Sequence, residues 1–346
     1  MTQRGMKRHV YNTSYRAENM HVLITGAAGM VGRKLTERLV RDGSLNDRPI
    51  AKLTLIDIVA PTKPADFGGE LALAAADLAD PGAADRVMGG QPDVIFHLAA
   101  IVSGEAELDF DKGYRVNLDG TRALIDAIRK LGNDYHPKLV FTSSIAVFGA
   151  PYPEAIPDEF HLTPLTSYGT QKAICELLIA DYTRRGVFDG VGIRLRSIVV
   201  RPGRPNKAAS GFFSSIIREP LAGEEAVLPV DDSVLHWHAS PRAAVGFLIH
   251  AAGLTREQLG PRVNLTMPGV CCTVGEQIAA LQRIAGDKAV ARIRRAPDAL
   301  VARIVAGWPS RFDARRAVAL GFKGERSFDD IIQVHIEDDL GGKIAA

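Results

Sequence analysis

From Met20 onward, short apolar runs alternate with longer stretches in which apolar residues recur at helical spacing. Apolar runs of about four to eight residues bounded by turn residues read as strands buried on both faces, and the amphipathic stretches between them read as crossover helices. The pattern predicts strands at His21–Thr25, Lys52–Ile58, Leu71–Ala76, Val94–Leu98, Lys138–Thr142 and Val191–Leu195. It predicts helices at Gly29–Asp42, Pro81–Met88, Asp109–Leu131 and Ser167–Arg185. This repeated βαβ arrangement implies an α/β fold, a doubly wound parallel sheet whose ligands bind beyond the carboxyl ends of the strands.

After about residue 196 the alternation fades into Arg201-Pro-Gly-Arg-Pro-Asn-Lys207. A smaller substrate-facing lobe is expected there, with helices at Val274–Ile284 and Ala289–Arg303, whose arginines read as a solvated face. The apolar run Arg262–Thr266 is expected to rejoin the main sheet. The expected division is 20–195 plus about 240–266 for the main domain, and 196–239 plus about 267–340 for the lobe. Residues 1–19 are polar, basic and without periodicity, and read as a disordered extension or an expression remnant.

Composition narrows the partners. A 346-residue chain that is 46% hydrophobic and 24% charged has the balance of a soluble globular protein. Its 42 Lys and Arg nearly match its 40 Asp and Glu, so no global field favours nucleic acid or an anionic membrane. No apolar run reaches the roughly 18 to 20 residues of a membrane span. Three cysteines cannot build a disulfide framework, and a reducing cytoplasm fits them best.

Gly26, Gly29 and Gly32 stand directly after a strand and at the opening of a helix. In that context glycine lets the backbone approach a pyrophosphate, whose charge the helix N-terminus stabilises. Met30 and Val31 lie inside the same turn. Asp57, ending the second strand, can accept hydrogen bonds from ribose hydroxyls and would repel a 2′-phosphate, which favours NAD over NADP; Arg33 and Lys34 leave NADP open. Asp77, followed by Leu78, can contact the adenine or cap the helix that starts near Pro81.

Tyr168 and Lys172 are four residues apart on one helix and share a face. A tyrosine acting as base must release its proton near neutrality, and an adjacent ammonium stabilises the phenolate. Thr142-Ser143-Ser144 follows a strand at the sheet edge where ligands bind, so a Ser144 hydroxyl can hold the reacting oxygen.

With these motifs in place the chain resembles the extended short-chain dehydrogenase/reductase superfamily, which includes nucleotide-sugar epimerases and dehydratases. The resemblance runs from Met20 to about Arg262. It rests on Thr25-Gly-Ala-Ala-Gly-Met-Val-Gly32, His97-Leu-Ala-Ala100, Asn117-Leu-Asp-Gly-Thr121, Thr142-Ser-Ser-Ile-Ala-Val-Phe-Gly149 and Ser167-Tyr-Gly-Thr-Gln-Lys172. It implies NAD as cofactor, Ser144, Tyr168 and Lys172 as the catalytic group, and Leu98, Ala99, Ala100 and Thr142 beside the dinucleotide. It further implies that Asn117 braces the site and that Ser197 and Ile198 lie near the nicotinamide.

The later segments depart from the sugar-nucleotide enzymes. Ala100-Ile-Val-Ser-Gly-Glu105, Arg201 to Phe213 and His236-Trp-His-Ala-Ser-Pro-Arg242 are similar to the D-erythronate dehydrogenase group. That resemblance implies NAD-dependent oxidation of a small sugar acid at C2. A carboxylate substrate suits planar arginine, so Arg201 and Arg242 are candidates for its carboxylate, with Ser103, Asn206 and Lys207 for hydroxyls. Each arginine has a plain alternative as an ion-pair partner within the fold. His236-x-His238 lacks a third ligand at a sensible spacing, so no metal is expected, and both histidines read as lining or supporting the cleft. The alternatives are a nucleotide-sugar epimerase or dehydratase that keeps NAD bound, and a non-catalytic NAD sensor. A homodimer through the helices at 109–131 and 167–185 follows from the superfamily resemblance.

Overall fold

The computed structural model describes residues 19–203 and 209–345. The expectations for the N-terminal extension, Asn206 and Lys207 lie outside these residues.

The first half builds β1 (Met20–Thr25), α1 (Met30–Asp42), β2 (Ser44–Leu45), β3 (Arg48–Asp57), β4 (Glu70–Ala75), α2 (Ala83–Met88) and β5 (Val94–His97). There follow α3 (Ser103–Leu108), α4 (Phe110–Gly113), a wide π turn over Tyr114–Asp119, α5 (Gly120–Lys130), β6 (Lys138–Ser144), α6 (Ser167–Arg184) and β7 (Asp189–Leu195). With β11 (Asn264–Thr266), the parallel strands lie in the order β4-β3-β1-β5-β6-β7-β11, every neighbouring pair parallel. The order reverses between β1 and β5, and a crevice opens there at the carboxyl edge. This is the doubly wound Rossmann sheet expected from the apolar runs.

Both faces of the central strands β1, β5, β6 and β7 are dry because their successive residues are apolar, whereas the edge strand β4 is largely exposed. Val22 and Ile24 point into a cluster with Leu35 and Leu39 of α1 and with Phe247 and Leu248. Leu23 points the other way, toward Leu124, Ile128 and Ile179 of α5 and α6. Burial of one such leucine stabilises the fold by about 2 kcal/mol relative to leaving it in water.

Three departures from the pattern have clear causes. The polar loop at 42–48 is a hairpin: β2 pairs antiparallel with the start of β3, and Asn46 and Asp47 take φ values of 51° and 60°. Asn and Asp tolerate that left-handed turn, and Asn46 also donates to the Ala252 carbonyl at 3.0 Å. The expected single helix over 109–131 is broken by its π turn, a wide turn often found at functional sites. There Asn117 faces inward, accepting from Ile101 N at 2.9 Å and donating to Gln171 at 2.8 Å.

The expected helix at 289–303 is wrong. The segment forms α11 (Asp287–Val290), β13 (Ile293–Arg295) and α12 (Ala299–Ala306), because β13 pairs with β9 (Ala226–Leu228) and Pro297 interrupts the helical backbone. Arg294 and Arg295 do face solvent, against Glu225 and Asp232, whereas Arg292 is half-buried.

The remaining elements are β8 (Ser197–Ile198), α7 (Phe212–Leu221), β10 (Leu235–Ala239), α8 (Pro241–Gly253), α9 (Arg256–Leu259), β12 (Val270–Thr273), α10 (Val274–Ala285), α13 (Arg315–Ala319) and α14 (Phe328–Asp339). β12, β10 and β8 form a small sheet beside the cleft. A separate apolar cluster joins α7, α10 and α14 through Phe213, Ile217, Leu281 and Ile332. No helix among the described residues is long and apolar enough to cross a membrane.

Candidate active site

At the carboxyl edge of the sheet lies a cavity of about 500 Å³. One end is lined by Gly26, Gly29, Met30, Val31, Gly32 and Leu98, the other by Ser144, Tyr168, Ser197, Arg201, His236 and Trp308, with Ser103 and Val102 also in the wall.

The glycine end is shaped by backbone. Gly26 has φ 76°, and a Cβ on it would sit 2.7 Å from Ala99 N. A Cβ on Gly32 would sit 2.2 Å from the Gly26 carbonyl oxygen, so neither position admits a side chain without moving main chain. Gly29 precedes α1 as its N-cap residue and carries no side-chain cap, which leaves the helix N-terminus open toward the cavity lined by that turn. This cradle fits a pyrophosphate. Asp57 closes the turn from below, its carboxylate accepting from Ala28 N at 2.9 Å.

Asp77 accepts from Ala79 N and from Arg115 and does not line the cavity, and Leu78 is buried in the core. Ala99, Ala100 and Ile198 likewise do not line the cavity, while Ser197 does. His97 is buried between Thr25 and Thr121, its ring nitrogens 2.7 and 2.9 Å from their hydroxyls. Burial, and then the charge of Lys172, lower it to about 3, so it is a neutral spacer.

Ser144, Tyr168 and Lys172 come together as the motifs suggest. Thr166 caps α6, its hydroxyl accepting from Gly169 N, and thereby starts the helix at Ser167 with Tyr168 in its first turn. Lys172 is 2% exposed, donates to the Thr142 carbonyl at 2.8 Å and stands 5.9 Å from the Tyr168 ring. Thr142 donates in turn to the His97 carbonyl. Burial lowers Lys172 to about 8, opposed by Cys175 and Glu176. Burial pushes the Tyr168 phenol up to about 12, against the Ser144 hydroxyl and the charge of Arg201. In the protein alone the phenol therefore moves away from neutrality. Ionising it at pH 7 requires about 7 kcal/mol of added stabilisation, a larger demand than the sequence suggests.

A buried ion pair holds this group. Glu176, one turn beyond Lys172, accepts from Arg194 of β7 at 2.8 Å and from Ser143 of β6 at 2.5 Å. Arg194 also donates to the Asp158 carbonyl, so helix, both strands and the loop before α6 are tied at one point. Sequence reasoning missed this pair; the signal was a lone Arg within an apolar strand and a Glu at i+4 from Lys172.

The candidates for substrate recognition divide. Arg201 lines the cavity, fixed by donation to the Ile198 carbonyl and to Ser210 at 3.0 and 3.1 Å, and it makes no ion pair among the described residues. Arg218 donates to the Arg201 carbonyl and pairs with Glu219. Arg242 is a correction. It lies outside the cavity and is held on the surface by Glu337 at 2.9 Å and Asp338 at 2.5 Å, so its guanidinium is already occupied by carboxylates. Tyr152, Trp308 and Pro309 complete the wall, contributed by segments without a recognisable motif. Among the described residues no group of His, Cys, Asp and Glu could hold a metal ion.

Sheet order, glycine cradle and the joined Ser144, Tyr168 and Lys172 define a dinucleotide-binding Rossmann protein. The sequence model of the NAD dependent epimerase/dehydratase family matches residues 22–238, and the chain belongs to that family, whose dinucleotide is NAD. It is 46% identical over 323 residues to D-erythronate dehydrogenase of Cupriavidus necator, covering 92% of this chain and 98% of that one. To D-erythronate dehydrogenase of Haemophilus influenzae it is 42% identical over 93% of this chain and all of that one. Its structure is similar, at a TM-score of 0.92 and 66% identity, to that of the nucleoside-diphosphate-sugar epimerase from Agrobacterium tumefaciens, covering 94% of this chain and 96% of the other.

Proposed function

We propose that the protein is an NAD-dependent dehydrogenase that oxidises D-erythronate at C2 to the 2-oxo acid. The observation that carries this reading is the Arg201 guanidinium, without a carboxylate partner among the described residues and electrostatically coupled to Tyr168. A permanent cation beside the base suits a substrate whose carboxylate adjoins the reacting carbon. The two full-length relatives named D-erythronate dehydrogenase support the choice of acid.

Arg201 binds the carboxylate, and Ser144 holds the C2 hydroxyl against Tyr168. Tyr168 removes the hydroxyl proton as the C2–O bond becomes a carbonyl and the C2 hydrogen departs as hydride. Bound NAD supplies the hydride acceptor. Lys172 stabilises the phenolate, and its own pKa of about 8 lets it hold or release a proton near the working pH. Gly26, Gly29 and Gly32 receive the pyrophosphate, Asp57 the adenosine ribose, and Ser197 lies at the nicotinamide end.

Exposed apolar side chains on α4 and α6, namely Phe110 and Leu177, support a homodimer through the helices at 109–131 and 167–185; sedimentation at micromolar concentration measures it, and a monomer overturns it. A reducing cytoplasm remains the compartment that suits three free thiols.

A second reading, epimerisation of a nucleoside-diphosphate sugar with retained NAD, is favoured by the 66% identical neighbour's designation. The deciding experiment follows NADH absorbance with D-erythronate or a UDP-sugar. Net NADH from the acid alone supports oxidation, and sugar interconversion without net NADH supports the second reading.

A further inference from the structure

Ser197 and His236 face the cavity and take no part in the proton and hydride steps above. The Ser197 hydroxyl lies 2.7 Å from His236 Nε2. The imidazole is held in one orientation: stacked on Phe213 of α7 at 5.0 Å and 5°, and packed against Trp308 at 5.4 Å and His238 at 5.2 Å. Only 3% of His236 is exposed, yet the residue lines the cavity together with Ser197.

Its charge state narrows what it can bind. Burial and then the cation of Arg196 lower His236 to about 3. Arg196 is itself buried against Trp237, 4.8 Å from the ring, and lines the same cavity with no hydrogen-bond partner for its guanidinium among the described residues; burial pulls its own pKa well down, and its charge opposes protonation of the imidazole. A neutral imidazole coupled to a serine hydroxyl presents one donor and one acceptor. A carboxylate only accepts and meets that acceptor unfavourably, whereas an alcohol both donates and accepts. The cavity thus has guanidinium positions at Arg196 and Arg201 and a neutral, two-sided position at Ser197 and His236.

We propose that the Ser197–His236 couple reads a hydroxyl of the substrate beyond the reacting carbon, and so sets which small 2-hydroxy acids are accepted. This rests on the reading of the protein as a dehydrogenase of a small hydroxy acid. A site built to hydrogen-bond a hydroxyl discriminates strongly against the analogue lacking it, because its own buried polar groups are then left unpaired.

The test compares D-erythronate with its 3-deoxy and 4-deoxy analogues in the wild type, His236→Phe and Ser197→Ala, with kcat and KM resolved and NAD affinity measured separately by fluorescence quenching. The wild type should prefer D-erythronate over one deoxy analogue by about 10²-fold or more in kcat/KM. Either substitution should collapse that ratio to within about fivefold, chiefly through KM, and His236→Phe should leave NAD affinity within about twofold. Ser197→Ala removes one hydroxyl and keeps the test valid if His236→Phe fails to fold. Three results overturn the inference alone: a preference that survives both substitutions, equal use of all three acids by the wild type, or a His236→Phe loss that falls on NAD affinity. No NADH from any of the three acids with the wild type overturns the proposed function and this inference with it.

Discussion

The two ends of the cavity are built by different means. The glycine end comes from one continuous segment, 25–32, and its shape is main chain: Gly26 and Gly32 leave no room for a Cβ, and the open helix terminus supplies the polarity. The opposite end is assembled from side chains on β8, β10, α7 and the segment after α12, whose residues are remote in sequence. A backbone-built site serves any ligand carrying a pyrophosphate, while a side-chain-built site can change its ligand with few substitutions. Relatives can thus share the dinucleotide end and differ in substrate.

That contrast can be broken by substitution. The largest effect is expected for Tyr168→Phe, which removes the proposed base. NADH formation should fall by about 10³-fold or more, with NAD affinity within a few-fold of the wild type. Substantial turnover in single-turnover assays would remove Tyr168 from the mechanism.

At the glycine end, Gly32→Ala drives a methyl group into the Gly26 carbonyl and should weaken NAD binding by about 10²-fold or more, through main-chain displacement. Titration by protein fluorescence measures this. An unchanged affinity would mean that the turn is pliable and the contrast false. At the other end, Arg201→Met should lower kcat/KM for the acid by about 10²-fold, the loss of a charge-assisted contact, and leave NAD affinity alone.

A smaller effect concerns pH. Folded His97 and His236 have values of about 3, against about 6.5 when unfolded. Below about pH 6.5 the unfolded chain binds the extra protons, so stability is full above that value and falls as pH drops toward 3, by about 1.4 kcal/mol per pH unit for each such histidine. Urea unfolding between pH 7.5 and 5 should show a shallower acid decline in His236→Phe by about one proton. An identical slope would mean that His236 is protonated in the fold.

The smallest effect is expected for Arg242→Gln. Its exposed pairing contributes roughly 0 to 1 kcal/mol, and kcat/KM should stay within twofold. A tenfold loss would return Arg242 to the substrate end.

Much of this was legible in advance where neighbouring residues carry the information. The parallel strands, the glycine turn and the spacing of Tyr168 and Lys172 are local patterns, and each was placed within a few residues. The failures were non-local. The helix expected at 289–303 is overridden by the pairing of β13 with β9, and the π turn at 114–119 accompanies the inward hydrogen bonds of Asn117. Arg242 and Arg201 look alike in sequence, and only the position of Glu337 and Asp338, nearly a hundred residues away, separates them.

The sequence by itself determined the fold class, the glycine turn that opens α1 and the placing of Ser144 at a strand end with Tyr168 and Lys172 on one helix, because apolar periodicity and short-range spacing survive in one dimension. The tertiary structure alone decided which arginine lines the cavity and which is paired on the surface, which histidine stays neutral at the cavity wall and how far Tyr168 and Lys172 are shifted from their ordinary acidity. Those properties depend on burial and on charges brought near by folding, and neither is a property of residues adjacent along the chain.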